Sequence, residues 1–426
     1  MEIYEMSLGE LDRGLSNNHF SLIDVFESLA SRIERCEART RAFAALDLER
    51  VRAQIDQINR RPRTTMISGI PFGVKDIFNT SDWATAYGSE IYEGHRPVND
   101  AAVVSQLRSA GAIVMGKTVT TEFAYFFPGK TRNPRNPAHT PGGSSQGSAA
   151  AVADLMVPFA LGSQTAASVI RPAAFCGVVG YKASAGQFPL NGVLALSHSM
   201  DSLGFFVRNP EDLHLLRNVL LGESSSMGVL RPRKAGFIRT PYWSELDSES
   251  QLILDTTVDH LAAAGVGIRE VEVDRHEGVD LIDAHQTVMA FEASRARAVE
   301  HQDHPEKLSM QFSQLVEAGR QINYPQYRQA MRHRDVVNHR LNTEFGDFDL
   351  FLTPSAPGEA PKGLGSTGDP KFSRAWNLLG GPSITLPAGV GRNGLPLGVQ
   401  LVGHLHDDEL LIAYANWMYQ NIPLGV

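Results

Sequence analysis

The stretch SLIDVFESLASRIERCEA places Leu22, Phe26, Leu29 and Ile33 at helical spacing with polar residues between them. That period puts the apolar side chains on one face and predicts an amphipathic helix. Ser21 followed by Asp24 fits a capping pair at its start. The next apolar blocks are shorter and lack this period. GIPFGVKDIF predicts a strand-like stretch with Lys75 inside it. AAVVSQLRSAGAIVMGKT predicts a helix, a glycine stop and a buried strand. LMVPFALGSQT predicts a strand entering a loop, and VIRPAAFCGVVGYKAS a short helix and a further strand. This alternation of strand and helix predicts an α/β layered fold.

Residues 245–345 differ in pattern. TVMAFEASRARAVEHQDH and YRQAMRHRDVVNHRL are helix-like and rich in charge and histidine, so a helical insertion or flank is expected there. FDLFLTPSAP, PSITLPAG and LPLGVQLVG then predict returning strands, and HDDELLIAYANWMYQ a last helix. No internal repeat or low-complexity linker breaks the chain, so one domain over 1–426 is expected. Its core would be 65–215, with closing elements over 346–426.

Composition narrows the function classes. With 426 residues, 42% hydrophobic and 20% charged, the chain has an ordinary globular make-up and enough apolar residues for a sizeable core. A net charge of −8 argues against nucleic-acid binding, which needs basic surface. Two cysteines, Cys36 and Cys176, make no disulfide framework and no zinc cluster, which fits a reducing cytoplasm. The first residues carry acids and no apolar run, and no stretch is long enough to span a bilayer. No metal or cofactor is called for, and the oligomeric state is left between monomer and homodimer.

Two motif matches lack their structural context. GAIVMGKT, Gly111 to Thr118, fits GxxxxGK[ST], but its loop positions are apolar and a helix-like segment precedes it. A phosphate loop follows a strand, so a core strand ending near Lys117 is the better reading. GSSQG fits GxSxG around Ser145, with Asp349 and His404 as nominal partners. A nucleophile elbow needs a strand directly before it, whereas Pro134, Pro137 and Pro141 precede this one.

Three other stretches carry more. They are GIPFGVKDIFNT around Lys75, TPGGSSQGSAAAVA around Ser144 and GSQTAASVIRPAAFCGVVGYK around Ser168. Together, in this order, they resemble the amidase signature family. The likeness continues through GKTVTTEFA, SHSMDSLGFFVRNPEDL, NLLGGPSITLPAG and GLPLGVQLVG. Within the family, GSEIY, SVIRPAA and SAPGEAP are similar to malonamidase-type hydrolases of small amides. The resemblance implies a mixed, twisted β-sheet covered by helices on both faces. It implies a lysine–serine–serine triad: Lys75 as base, Ser144 as relay after a cis peptide bond, and Ser168 as nucleophile. It also implies an oxyanion hole from the backbone N–H groups of Thr165, Ala166, Ala167 and Ser168. The expected reaction is hydrolysis of a small linear amide through an acyl-serine. The same acyl-serine serves an acyltransferase, a carbamate or ester hydrolase, or a glutaminase-type subunit of an amidotransferase complex.

The residues themselves fit that chemistry. A serine hydroxyl needs a proton acceptor, and a lysine in an apolar stretch loses its proton more readily than one in water. Asp76 would oppose this only by pairing with Lys75, and neighbours in a strand point to opposite faces. Without the serine loops, Lys75 would read as a surface lysine, and Ser144, Ser145, Ser148 or Ser168 as helix N-caps. Ala167 stands where the family commonly has glycine, which would strain a positive φ, and Gln164 where many members have aspartate. Arg171 has two readings, a fork for a substrate carboxylate or a tie within the loop. His285, Phe291, Arg295 and Arg297 either face the site or pack beside it.

Overall fold

The computed structural model describes residues 2–59, 62–223, 228–273, 275–276 and 279–425. Its strands are β1 (Phe43–Leu46), β2 (Pro71–Lys75), β3 (Ile113–Thr118), β4 (Phe159–Gln164), β5 (Val179–Lys182), β6 (Ser202–Val207), β7 (Lys234–Phe237), β8 (Gly267–Glu270), β9 (Arg275–His276), β10 (Val279–Asp280), β11 (Leu350–Pro354), β12 (Ser383–Val390) and β13 (Pro396–Val402). All but β9 and β10 join one sheet, in the order β1-β3-β2-β4-β6-β5-β12-β13-β11-β7-β8. β2 runs parallel to β3 and β4, the run from β4 through β6, β5, β12 and β13 to β11 is antiparallel, and β7 is parallel to β11 and β8. This is a mixed α/β fold.

Every residue of β2, β3, β4, β5 and β6 is buried. Successive side chains point to opposite faces, so both faces of this part of the sheet are covered. The helix Gln146–Ala153 is buried along its whole length and packs on β2 and β4. Gly147 lets the helix start approach the chain just before β1 and just after β3, where a Cβ would lie 2.3 Å from the Ala42 oxygen and the Val119 nitrogen. The helix Leu22–Thr40 starts at the Ser21–Asp24 capping box and buries Leu22, Phe26, Leu29 and Ile33, as their spacing predicts.

Residues 245–345 are not helical throughout. Gly267–Glu270 forms β8 at the edge of the large sheet. This edge strand is largely exposed and carries Arg269 and Glu270, so it lacks the apolar alternation that marks a half-buried strand. The GxxxxGK[ST] match is a core strand. Lys117 is fully buried, donates to the Phe78 carbonyl and the Thr80 and Thr85 hydroxyls, and pairs with Asp76 at 3.2 Å. Among the described residues no helix is long and apolar enough to cross a membrane, and no group of histidine, cysteine and acidic residues is arranged to hold a metal.

Candidate active site

The carboxyl ends of parallel β2 and β4 lie side by side, and each delivers polar groups to the same place. Lys75 closes β2, and Ser163 and Gln164 close β4. Ligand sites of open α/β sheets gather at such ends. Lys75 is fully buried, and its Nζ donates to Ser144 Oγ at 2.7 Å and to Ser163 Oγ at 2.9 Å. Burial lowers its pKa to about 7, an effect that the nearby Asp201 charge partly opposes. Asp76 lies on the other face with Lys117, so it does not hold the Lys75 proton. The peptide bond from Gly143 to Ser144 is cis.

Ser168 and Ser144 line one small cleft of about 10 Å³, walled also by Tyr125, Phe126 and Met289. Ser168 Oγ makes no hydrogen bond to Ser144 among the described residues, while the two serine loops are joined by Ser145 N–H donating to the Ser168 carbonyl at 3.4 Å. The helix after Ser168 is Ile170–Cys176, with Val169 at its N-cap, so Ser168 is no cap. Gln164 Oε1 accepts the Val169 and Ile170 N–H groups at 2.9 and 3.1 Å, securing the start of this helix. Ala167 does not adopt a positive φ, so its methyl is compatible with the loop. Ser145 holds the N-cap position of the helix Gln146–Ala153 without a side-chain cap bond; its hydroxyl bridges to the Ser163 backbone, and Ser148 Oγ donates to the Leu161 carbonyl. Asp349 accepts from the Arg233 and Lys234 backbone and His404 faces the Phe348 carbonyl, so neither serves Ser145.

The Thr165 carbonyl is gripped from two sides. Asn377 Nδ2 donates to it at 2.6 Å and His285 Nε2 at 2.8 Å. A carbonyl only accepts and a guanidinium only donates, so Nε2 carries the hydrogen and Nδ1, 3.3 Å from Arg374, is bare. His285 is fully buried; burial first, and Arg374 next, push its pKa down to about 3. In a trans peptide the N–H of Ala166 points opposite to the Thr165 carbonyl. Holding that oxygen therefore fixes where the Ala166 N–H aims. The N–H groups of Thr165, Ala166, Ala167 and Ser168 donate to no other group of the protein among the described residues. Thr165 Oγ1 donates to Asp201, which also accepts the Leu196 and Ser197 N–H groups. Withdrawal from water raises the Asp201 pKa to about 6 against these donors.

Arg171 is buried and committed to the loops. Nη1 donates to the Gly368 carbonyl at 2.8 Å, and Nη2 to the Gly143 carbonyl at 2.7 Å and Thr367 Oγ1 at 3.1 Å. It thereby fastens the residue before Ser144, which favours the tie over the carboxylate fork. Arg171→Ala is expected to lower kcat/KM alike for carboxylated and neutral amides and to destabilise the fold by about 3 kcal/mol, because carbonyls that lose a charged donor stay buried. Kinetics on both amide types, with thermal unfolding, check this; a loss confined to carboxylated amides would restore the fork. Phe291 instead stacks on Tyr327 under Arg295, and Arg297 pairs with Glu300.

The serine motifs do not point to Ser163, Asn377, His285 or Asp201 for these contacts. A hydroxyl at the end of an otherwise apolar strand is the sequence signal for Ser163. A polar pair in the buried helix Lys371–Leu379 is the signal for Arg374 and Asn377.

Comparisons with known proteins bear on the family and the fold. The Amidase family pattern matches residues 24–412. The chain is 31% identical to a glutamyl-tRNA(Gln) amidotransferase subunit of Carboxydothermus hydrogenoformans over 482 aligned positions, covering 99% of this chain and 98% of that one. Among solved structures, a crystal structure of an amidase superposes with a TM-score of 0.89 at 29% identity, over 97% of this chain and 99% of that one. Native peptide amidase from Stenotrophomonas maltophilia shares the fold, with a TM-score of 0.82 at 24% identity over 98% and 97%. These relatives show the family; the malonamidase-type likeness expected from GSEIY, SVIRPAA and SAPGEAP finds no support among them. From the first long helix through the closing strands one family pattern accounts for the chain, and the protein belongs to the Amidase family.

Proposed function

We propose that the protein is a serine amidohydrolase that uses Lys75, Ser144 and Ser168 as base, relay and nucleophile. The observation that carries this reading is the 2.7 Å hydrogen bond from a fully buried Lys75 to Ser144 Oγ. A lysine with its pKa near 7 is partly neutral at neutral pH and accepts a proton. As Ser168 Oγ attacks the amide carbon, its proton passes to Ser144 and the Ser144 proton passes to Lys75. The carbonyl oxygen gains negative charge and is met by the backbone N–H groups of the 165–168 loop. The C–N bond then breaks, and the proton returns through Ser144 to the leaving nitrogen. Water attacks the acyl-Ser168 ester, again through Ser144 and Lys75, and releases the acid. The open Ser144–Ser168 contact belongs to the resting site, where catalytic hydrogen bonds are commonly longer than in the substrate complex. The test is hydroxylamine trapping: an acyl-serine passes its acyl group to hydroxylamine and yields a hydroxamate.

Holding the Thr165 carbonyl gives His285 a positioning role. His285→Phe is expected to lower kcat about 10–100-fold with KM within about twofold, since a misaimed oxyanion donor is felt in the transition state. His285→Gln, which keeps an N–H donor, is expected to recover most of it. Steady-state kinetics separate this from a packing defect, which would not distinguish the two variants by kcat alone.

The similarity to glutamyl-tRNA(Gln) amidotransferase subunits supports a second reading, in which the chain releases ammonia from glutamine for a partner protein. It predicts hydrolysis of L-glutamine. Co-purification of another polypeptide, with glutaminase activity only in the complex, supports it; a chain that purifies alone and turns over other amides with L-glutamine inert opposes it.

A further inference from the structure

A second cavity, of about 320 Å³, borders the small serine cleft. Ala124, Thr165 and Leu196 line both. The larger cavity is walled by Leu190, Val193, Leu194 and Ala195, with Asn191 and His198 adding polar groups. Ser163 and Asp201 also line it. Asp201 already accepts from Thr165 Oγ1 and from the Leu196 and Ser197 N–H groups, so its oxygens are turned into the loop. Ser163 Oγ accepts from Lys75 Nζ, which places this cavity beside the base end of the proton relay.

Chemistry then orients the substrate. The carbonyl oxygen faces the N–H groups of the 165–168 loop. The leaving nitrogen must face Ser144, because it receives its proton from there, and Lys75 lies directly behind Ser144. Ser144 and Lys75 close that path to a substituent on the nitrogen, and the neighbouring cavity meets the serine cleft along the wall shared by Ala124, Thr165 and Leu196. The serine cleft itself is too small for such a group. The neighbouring cavity falls at the small end of ordinary ligand pockets, roughly 300–1,000 Å³, and its walls are mostly apolar.

We propose that this cavity is the leaving-group subsite and that the enzyme cleaves secondary amides bearing an uncharged apolar group, butyl- to benzyl-sized, on nitrogen. The inference rests on the serine amidohydrolase reading. In the reaction the C–N bond breaks, the Ser168 hydroxyl proton ends on the nitrogen, and an apolar primary amine departs. Water then cleaves the acyl-serine. No oxidant, metal or further reactant takes part.

The test compares propionamide with N-benzylpropionamide, which share an acyl group and differ only on nitrogen. Wild-type enzyme is expected to release benzylamine. Val193→Trp and Ala195→Leu fill the cavity from two positions outside the triad, and thermal unfolding reports whether each folds. Each folded variant is expected to lower kcat/KM for N-benzylpropionamide at least about tenfold, with propionamide within about twofold of wild type. Cleavage of propionamide with N-benzylpropionamide inert overturns the subsite, as does an equal loss on both substrates in both variants. Turnover of neither amide, with Ser168 still labelled by a fluorophosphonate, also overturns the subsite alone. Turnover of neither with Ser168 unlabelled overturns the hydrolase reading beneath it.

Discussion

Ser168→Ala is expected to abolish both amide hydrolysis and hydroxamate formation, by a factor on the order of 10⁴ or more. Nothing in the cleft replaces it as nucleophile. Ser144 is hydrogen-bonded to Lys75, and Ser145 is turned toward the Ser163 backbone. The variant should fold normally. Ser168 Oγ makes no hydrogen bond to the protein among the described residues, and only 8% of the residue is exposed, so the change removes one atom from a tight but tolerant place. Thermal unfolding beside kinetics separates loss of chemistry from loss of structure. An alanine variant that keeps even a tenth of wild-type turnover contradicts the account.

The second large effect belongs to Lys75. Lys75→Met is expected to lower kcat by on the order of 10³ or more, because among the described residues Lys75 is the base hydrogen-bonded to Ser144 Oγ. Its pH dependence has a definite sign. As the proposed base, Lys75 works in its neutral form, so kcat/KM should fall about tenfold per pH unit below about 7 and level off above it. Stability moves with pH for the same reason. The folded pKa of about 7 lies below the ordinary lysine value of 10.5, so between these values the unfolded chain binds a proton that the folded chain does not. Stability therefore rises with pH across that window, and below it the fold carries a desolvated ammonium. Lys75→Met removes this slope and should unfold at or above the wild-type temperature at neutral pH. A pH profile centred near 10, or a marked loss of stability on substitution, goes against a buried lysine base.

Parts of this molecule are plain in its sequence for physical reasons. β2, β3 and β4 each open on an apolar block because both their faces are covered, and their polar residues fall at their carboxyl ends. The helix Leu22–Thr40 shows its period because one face meets solvent. β8 is hidden because an exposed edge strand has little apolar content to display. At the site, Lys75, Ser144 and Ser168 stand out through their motifs. Their supports do not. His285 and Asn377 reach Thr165 across more than a hundred residues of chain, and each sits among other polar residues of its helix, so nothing in the pattern separates a site-facing His285 from a packed one. Arg171 is ambiguous in the sequence because its partners, the Gly143 and Gly368 carbonyls, are backbone atoms that carry no side-chain signal. Long-range hydrogen bonds to carbonyls are what the fold adds to the motif.

In the proposed mechanism Ser168, activated by Lys75 through Ser144, forms the covalent intermediate. Mass spectrometry of the protein after reaction with a fluorophosphonate tests it most directly. One adduct is expected on the peptide containing Ser168, slowed strongly in Lys75→Met and absent in Ser168→Ala. An adduct on Ser145, or equal labelling of wild type and Lys75→Met, would contradict it.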